Sequence, residues 1–226
     1  MTLKCKYSQK QLCALVCKQI ENFWPIRLSN EIETVLPEVL ERMKNCFERS
    51  QNKYIHKEND IIFNVDHAVS YAIFLYLLSN ELYKVGKEEA ASYIYYLNKI
   101  MHSVDWFYAI ELPTVFMAEH PLGSVLGRAV YKDYFMVYQG CTVGGNRRNG
   151  QLYYPEIGHH VITFANSTLL GNSHVGNYVV ISSGTYIKDT DIPDNCIVFG
   201  RSPQLIIKQK SKEELEQMFK PIWKTM

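Results

Sequence analysis

The sequence IGHHVITFANSTLLGNSHVGNYVVISSGTYI, residues 157–187, repeats every six positions. One phase of the repeat carries mostly large apolar residues: Ile157, Thr163, Leu169, Val175, Ile181 and Ile187. Four places after each of the first five stand β-branched or small residues: Val161, Ser167, Ser173, Val179 and Thr185. A six-residue period fits neither a helix nor a simple alternating strand. It is typical of a parallel β-helix, in which each hexad forms one flat side of a triangular coil.

The repeat starts earlier and is interrupted once. Val125, Tyr131, Val137 and Val143 already step by six, but the step from Val143 to Ile157 is fourteen. The segment in between, GNRRNGQLYYPE, is polar, contains glycine and is rich in tyrosine, which predicts a protruding functional loop.

Two residues inside the repeat depart from its pattern. Thr163 is polar at an inward position, and Phe164 stands where hexads usually carry a small residue. Either this side of the coil faces a ligand or a neighbouring subunit, or the irregularity is tolerated.

The first half of the chain has helical periodicity. Ser8 is a candidate cap for a first helix, and a second stretch covers residues 30–48 with a possible break at Pro37. A third helix begins near Asp66 and is apolar on nearly all sides, so we expect it to be buried. A fourth follows Gly86, and the polar segment 50–62 is interpreted as a loop. Near the end, Ser211 and Glu214 form a capping-box pattern for a last short helix.

Composition excludes several classes of protein. A formal net charge of +1 over 226 residues gives no field that would attract nucleic acid or an anionic membrane. The six cysteines form no CxxC pair and no zinc pattern, so we expect reduced, mostly buried thiols and no metal site. The sequence has no apolar run of about 20 residues for a membrane span, and its start has none for a signal peptide, so we predict a soluble, cytoplasmic protein.

Most of the chain resembles the serine O-acetyltransferase family of hexapeptide-repeat acyltransferases, and the most specific part of the resemblance runs from Val104 to Lys208. The resemblance rests on five segments in the same order: EHPLGSVLG, QGCTVGG, YYPEIGHHV, LLGNSHVGNYVVISSGTYI and FGRSPQLII. It implies an α+β fold in which a helical N-terminal domain precedes a left-handed parallel β-helix and a short C-terminal helix. We place these parts at residues 1–103 for the helical, oligomerisation domain, 104–208 for the acetyltransferase domain and 209–226 for the tail helix.

The resemblance assigns roles to several residues. His120 matches the family's catalytic general base, and Asp105, fifteen residues earlier, matches the carboxylate that orients it. Glu119 matches an acidic residue that contacts the acceptor. The family's coenzyme A groove corresponds to Gly145, Ala165 and Ser183. Acetyl-CoA is therefore the implied co-substrate, with no metal required.

The chemistry is consistent with the residues themselves. An alcohol is a poor nucleophile near neutral pH, whereas an imidazole, with an ordinary pKa of about 6.5, accepts the hydroxyl proton as attack on a thioester begins. A carboxylate on the other ring nitrogen fixes the tautomer and stabilises the imidazolium. Backbone N–H groups would stabilise the oxyanion. For the phosphates of the coenzyme, Arg147, Arg148, Lys208 and Lys210 are candidates, and each is equally understandable as a solvated side chain.

One departure from the family changes the expected acceptor. Serine acetyltransferases carry an Arg-His pair before the proline that follows the loop, where this chain has Tyr153 and Tyr154. Tyrosine offers no positive charge to a carboxylate, but its ring packs well on a sugar. We therefore expect a sugar hydroxyl of a surface polysaccharide or its precursor as the acceptor. L-serine is the alternative, and N-acetylation of an amino sugar and a catalytically inactive scaffold stay open.

The remaining expectations concern assembly and the other histidines. The flat sides of the prism predict a homotrimer with the coenzyme groove between neighbours, and residues 66–83 could pair trimers. His159, His160 and His174 fall at hexad turns and are interpreted as surface residues.

Overall fold

A computed structural model describes residues 1–224 and confirms the predicted order of helices, parallel coils and a short final helix. Residues 225–226 of the predicted tail lie outside the described residues. The helices are α1 Gln9–Glu21, α2 Ser29–Glu48, α3 Ala68–Lys84, α4 Glu88–His102 and α5 Lys212–Phe219. Within residues 1–224, none of these helices is long and apolar enough to cross a membrane.

The capping signals predicted from the sequence are present. The Ser8 hydroxyl accepts a hydrogen bond from the Gln11 backbone, and the Gln11 side chain accepts one from the Ser8 backbone. Helix α5 begins in the same way at Ser211 and Glu214. Both helix starts are therefore fixed by local side-chain bonds.

The expected break at Pro37 is wrong, because α2 is continuous through this residue. Pro37 removes one backbone hydrogen bond, but Ile32, Leu36, Val39 and Met43 bury a continuous apolar face. Burial of that face offsets the missing bond, since helices in proteins are stabilised mainly by packing. Helix α3 is buried from Ser70 to Leu82 as expected, and it packs between α2 and α4.

The segment interpreted as a loop, residues 50–62, contains part of a small sheet. Strand β1 is Thr2–Cys5, β2 is His56–Lys57 and β3 is Asp60–Phe63. Strand β3 pairs parallel to β1 and antiparallel to β2. Ile61 and Phe63 alternate into the core, a two-residue pattern that is too short to recognise in a polar context.

The second half forms the coils. Its strands are β4 Asp105–Trp106, β5 Phe116–Glu119, β6 Val125–Leu126, β7 Val130–Tyr131, β8 Phe135–Tyr138, β9 Thr142–Gly144, β10 Asn146–Arg148, β11 Gln151–Tyr153, β12 Glu156–Ile157, β13 Val161–Thr163, β14 Thr168–Leu170, β15 His174–Val175, β16 Val179–Ile181, β17 Tyr186–Lys188, β18 Cys196–Arg201 and β19 Gln204–Gln209. One side of the prism holds β4, β6, β9, β14 and β17, the next β5, β8, β13, β16 and β18, and the third β7, β12 and β15.

The register confirms that three hexads make one coil. Ile157 pairs with Val175 and Thr163 with Ile181, eighteen residues on in each case. Both six-residue series of segment 157–187 are buried along their whole length. The Thr163 hydroxyl donates to the Met136 carbonyl oxygen at 3.1 Å, so its polarity is satisfied inside the prism.

Val125 does not follow the inward-facing phase of the six-residue repeat. Val125 was expected to point inward, but it is 36% exposed, and Leu126 is fully buried in its place. Leu126 pairs with Val143, seventeen residues on, so this coil is one residue shorter than the later ones. A one-residue change of register moves the neighbouring side chain to the other face of a strand.

The protruding loop is a β-hairpin. Strands β10 and β11 pair antiparallel, and we call residues 146–153 the tyrosine hairpin. Val137 and Thr163 are paired at a separation of 26 residues, eight more than one coil. The hairpin accounts for those eight residues, so the coils continue undisturbed beneath it.

Helix α5 packs on a column of rings. Tyr134, His160 and Tyr178 occupy successive coil corners, and the His160 ring stacks between the two tyrosines at centroid distances of 4.2 and 4.5 Å. Phe219 and Trp223 meet this aromatic column edge-on. The prediction that His160 is a surface residue is therefore wrong, because the tail covers its corner. His159 and His174 are exposed as expected, and His174 bonds to Asp191.

Candidate active site

His120 lies at the corner that follows β5. Its side chain is 77% exposed, and its Nε2 atom is 3.8 Å from Oε1 of Glu119. The backbone φ of +45° is in the left-handed region. Tyr134 and Tyr178 share this conformation at their own corners, so it reflects coil geometry and is not by itself a sign of function.

A cavity of about 560 Å³ opens beside His120, and we call it the His120 cavity. Three parts of the chain line it: the loop 50–54, strands β5 and β8, and the segment after α5. Its lining residues are Ser50, Gln51, Asn52, Lys53, Tyr54, Met117, Ala118, Glu119, His120, Met136, Tyr138, Pro221 and Ile222. The size and the mixture of aromatic and polar groups suit a small polar molecule.

Asp105, the expected partner of His120, is held by helix α4. Its carboxylate accepts hydrogen bonds from the Tyr95 hydroxyl and, at 2.8 Å, from Lys99 Nζ. Within residues 1–224 no hydrogen bond joins Asp105 to His120. Burial and the bond to Asp105 raise the pKa of Tyr95 to about 12, and the same carboxylate raises the pKa of Lys99. Each carboxylate oxygen can accept more than one bond, so capacity for an imidazole remains.

Tyr153 and Tyr154 line a different cavity of about 400 Å³, together with Arg128, Leu152 and Asn172. Within a single chain, neither Tyr153 nor Tyr154 lines the His120 cavity. The Tyr154 ring packs directly on Gly145, just before the hairpin. A Cβ atom at residue 145 would lie only 2.9 Å from Cε1 of Tyr154, so glycine permits this close approach.

The candidate coenzyme residues lie on the coils and the tail. Ala165 and Ser183 are on consecutive coils, and the Gly184 N–H next to Ser183 donates to the Ala165 carbonyl oxygen at 2.9 Å. Ser183 is exposed and Ala165 is half-buried. Lys208 is exposed on β19, with Nζ 5.4 Å from the centroid of the Phe199 ring. Their roles in coenzyme binding stay predictions.

Among the described residues 1–224, no group of three or more His, Cys, Asp or Glu is arranged to hold a metal ion. The six cysteines are free thiols, four of them buried. Burial raises the pKa of Cys46 to about 12, which makes this thiol a poor nucleophile.

Sequence reasoning missed part of the cavity and the residues that hold Asp105. Lys53, Tyr54 and Ile222 come from segments far from His120 in the chain, and no local pattern relates them. Tyr95 and Lys99 are four residues apart, so they share a helix face, but the sequence does not tell which strand this face meets.

The chain is similar to known serine acetyltransferases, although no family model matches it. It is 28% identical to the enzyme of Synechococcus elongatus over 114 residues, which span 50% of this chain and only 46% of the relative. It is 26% identical to the enzyme of Staphylococcus epidermidis over 147 residues, 65% of this chain and 68% of the relative.

Solved structures of serine acetyltransferases share the fold. The Neisseria gonorrhoeae enzyme superposes with a TM-score of 0.73 at 20% identity, over 92% of this chain and 82% of its own. The Vibrio cholerae enzyme gives 0.72 at 20% identity, over 93% and 84%. A serine acetyltransferase in complex with CoA gives 0.69 at 18% identity, over 89% and 85%.

The strand order and the superposition show that the chain has the left-handed β-helix fold of the solved serine acetyltransferases. In sequence it is similar to serine acetyltransferases, at 28% and 26% identity to the two relatives named above.

Proposed function

We propose that this protein transfers the acetyl group of acetyl-CoA to the hydroxyl of L-serine, in the His120 cavity. The observation that carries the proposal is an exposed histidine beside a carboxylate, in a cavity of about 560 Å³, in a chain related to serine acetyltransferases. Two similar enzymes have structures with CoA and with serine, which supports this choice of donor and acceptor. The sugar acceptor expected from the sequence becomes the second candidate.

The residues suggest a direct transfer. His120 takes the proton of the acceptor hydroxyl as its oxygen attacks the thioester carbon. The carbon–sulfur bond then breaks, and the leaving thiolate takes the proton from the imidazolium. Glu119, whose Oε1 lies 3.8 Å from Nε2 of His120, would contact the acceptor. Asp105 would orient the imidazole from the other side, kept in place by Lys99 and Tyr95.

Assembly as a homotrimer would complete the site. The tyrosine hairpin and the His120 cavity are separate within one chain, so the hairpin of one subunit would approach the His120 of its neighbour. The coenzyme groove would then lie between the prisms, along Gly145, Ala165, Ser183 and Lys208. The helical part, residues 1–103, would pair trimers. The cytoplasmic location expected from the sequence stays a prediction.

A sugar hydroxyl is favoured by one specific observation. Tyr153 and Tyr154 stand where the serine enzymes that the chain resembles have an Arg-His pair, and Tyr54 and Tyr138 line the His120 cavity. Tyrosine rings pack on sugar faces, and their hydroxyls bond to those of the sugar.

Release of the CoA thiol distinguishes these functions. Purified protein is given acetyl-CoA with L-serine or with a panel of neutral sugars, and the product is analysed for an ester or an amide. His120→Ala should lower turnover about 10²- to 10⁴-fold, as expected for loss of a general base. The control His159→Ala changes an exposed histidine outside the cavity and should keep full turnover. Turnover of sugars alone would establish the second candidate, and no thiol release with any acceptor would favour an inactive scaffold.

A further inference from the structure

The His120 cavity is lined by a single cationic side chain. Among its lining residues, all of them within the described residues 1–224, Lys53 is the one lysine or arginine. Lys53 forms no ion pair within 4.0 Å of a carboxylate in this part of the chain. Its Nζ lies 5.1 Å from the centroid of the Tyr54 ring, a contact that leaves its three N–H donors available.

The loop that carries Lys53 is bonded to the segment after α5 at its start and is also bonded within itself. The Gln51 N–H donates to the Ile222 carbonyl oxygen at 2.7 Å, and Ser50 forms an antiparallel bridge with Trp223. The Tyr54 N–H donates to Asn52 Oδ1 at 2.9 Å. Because the backbone around Lys53 is already ordered, binding a ligand there requires little further ordering of the loop.

The charges of the cavity are arranged as a pair of opposite sign. Glu119 supplies a carboxylate next to His120, and Lys53 supplies an ammonium from the loop. An acceptor with a carboxylate and a hydroxyl satisfies this arrangement, since the carboxylate would meet Lys53 while the hydroxyl meets His120. Tyr153 and Tyr154 offer no such charge, even if a neighbouring subunit brings them close.

We propose that Lys53 binds a carboxylate of the acceptor and thereby determines which acceptors this enzyme uses. The inference rests on the proposed acetyl transfer at His120, but it does not depend on whether the acceptor is an amino acid or an acidic sugar. In both cases the shared chemistry is a carboxylate on the molecule whose hydroxyl is acetylated.

Two matched pairs of acceptors test the inference. L-serine is compared with L-serinamide, and glucuronate with glucuronamide, because the members of each pair differ only in a carboxylate against a neutral amide. Wild-type protein should prefer the carboxylate member of at least one pair. Lys53→Met should lower kcat/KM for that member about ten- to a hundredfold, mainly through KM, as expected for loss of a charge-assisted hydrogen bond. It should change the neutral member less than about twofold, and it should leave KM for acetyl-CoA unchanged.

Two further variants separate charge from folding. Lys53→Arg keeps the positive charge and should retain most of the preference. Lys57→Met removes an exposed lysine on β2, outside the cavity, and should behave like wild type.

The outcomes distinguish this inference from the proposed function. Equal losses for both members of a pair in Lys53→Met, or no preference in the wild type, would overturn the inference and leave acetyl transfer intact. Discrimination within the sugar pair, with no turnover of L-serine, would support Lys53 and reject L-serine as the acceptor. If no acceptor is turned over, the proposed function fails. Isothermal titration calorimetry then tests whether Lys53 binds a carboxylate. Binding of L-serine or glucuronate that Lys53→Met abolishes would uphold the inference, and absence of binding would reject it.

Discussion

Replacing His160 by phenylalanine is expected to stabilise the protein, and to do so more strongly at acidic pH. His160 is 7% exposed as a residue, and its ring lies between the rings of Tyr134 and Tyr178, with interplanar angles of 10° and 7°. Within residues 1–224, neither of its ring nitrogens has a hydrogen-bond partner. Tyr134 and Tyr178 have φ values of +68° and +56° at the equivalent corners, so an aromatic side chain fits this backbone.

The size of the effect follows from the pKa. Burial lowers the pKa of His160 from its ordinary 6.5 to about 4. The folded protein therefore binds fewer protons than the unfolded chain between these values, and stability falls as the pH drops below 6.5. At about 1.4 kcal/mol per pKa unit, roughly 2 kcal/mol is lost between pH 7 and pH 5. At neutral pH, the buried nitrogens without partners already cost about 1–3 kcal/mol.

Chemical unfolding at pH 7 and pH 5, at one protein concentration, measures the effect. Tryptophan fluorescence follows unfolding, and one of the three tryptophans, Trp223, lies in the tail with its ring 5.5 Å from that of Tyr134. The stability advantage of His160→Phe over wild type should grow by about 2 kcal/mol on acidification. Burial also lowers the pKa of His102, so wild type loses stability from more than one source, and only the difference isolates His160. If both proteins lose stability in parallel, the reasoning is refuted. His159→Phe, at an exposed position, serves as the control.

Two further substitutions probe the site and the coils. Lys99→Met removes the ammonium that lies 2.8 Å from the Asp105 carboxylate, and it should lower kcat several-fold while KM for acetyl-CoA stays unchanged. The control Lys99→Arg keeps the positive charge and should retain most activity. Equal losses in the two variants would contradict a positioning role for the charge. Gly158→Ala places a Cβ 2.5 Å from the Gly176 carbonyl oxygen and should lower the free energy of unfolding by about 1–3 kcal/mol, measured by urea denaturation. The control Gly144→Ala meets only Leu170 Cδ2 at 3.8 Å, and an equally large loss there would argue against the steric explanation.

The coils could be predicted because their physics is local. Each coil buries its side chains against the coils directly above and below, so the period appears in the sequence itself. The buried positions of segment 157–187 followed from it without error. At the first coils the helical half packs against the prism, and there the same rule misplaced Val125 relative to Leu126.

The features that were missed depend on contacts between distant segments. His160 reads as a corner residue, and its burial results from Phe219 and Trp223, about sixty residues later. The same holds for the His120 cavity, where motifs identified Glu119 and His120 but gave no sign of Lys53. The sequence therefore predicted the histidine and the carboxylate of the site, but not the other residues that line the cavity.

The hydrogen bond from Gln51 to the Ile222 carbonyl oxygen has a consequence for how the protein is made. A ribosome that has synthesised the helices and every coil has still not produced the segment that completes the His120 cavity. Contacts between such distant segments form late, since a long loop of chain must first be closed. In a nascent chain halted near residue 210, the coils could stack and His120 could take its place, while Pro221 and Ile222, which line the His120 cavity, would still be missing. The His120 cavity would then be completed only once the segment after α5 has been made and has docked on the aromatic column.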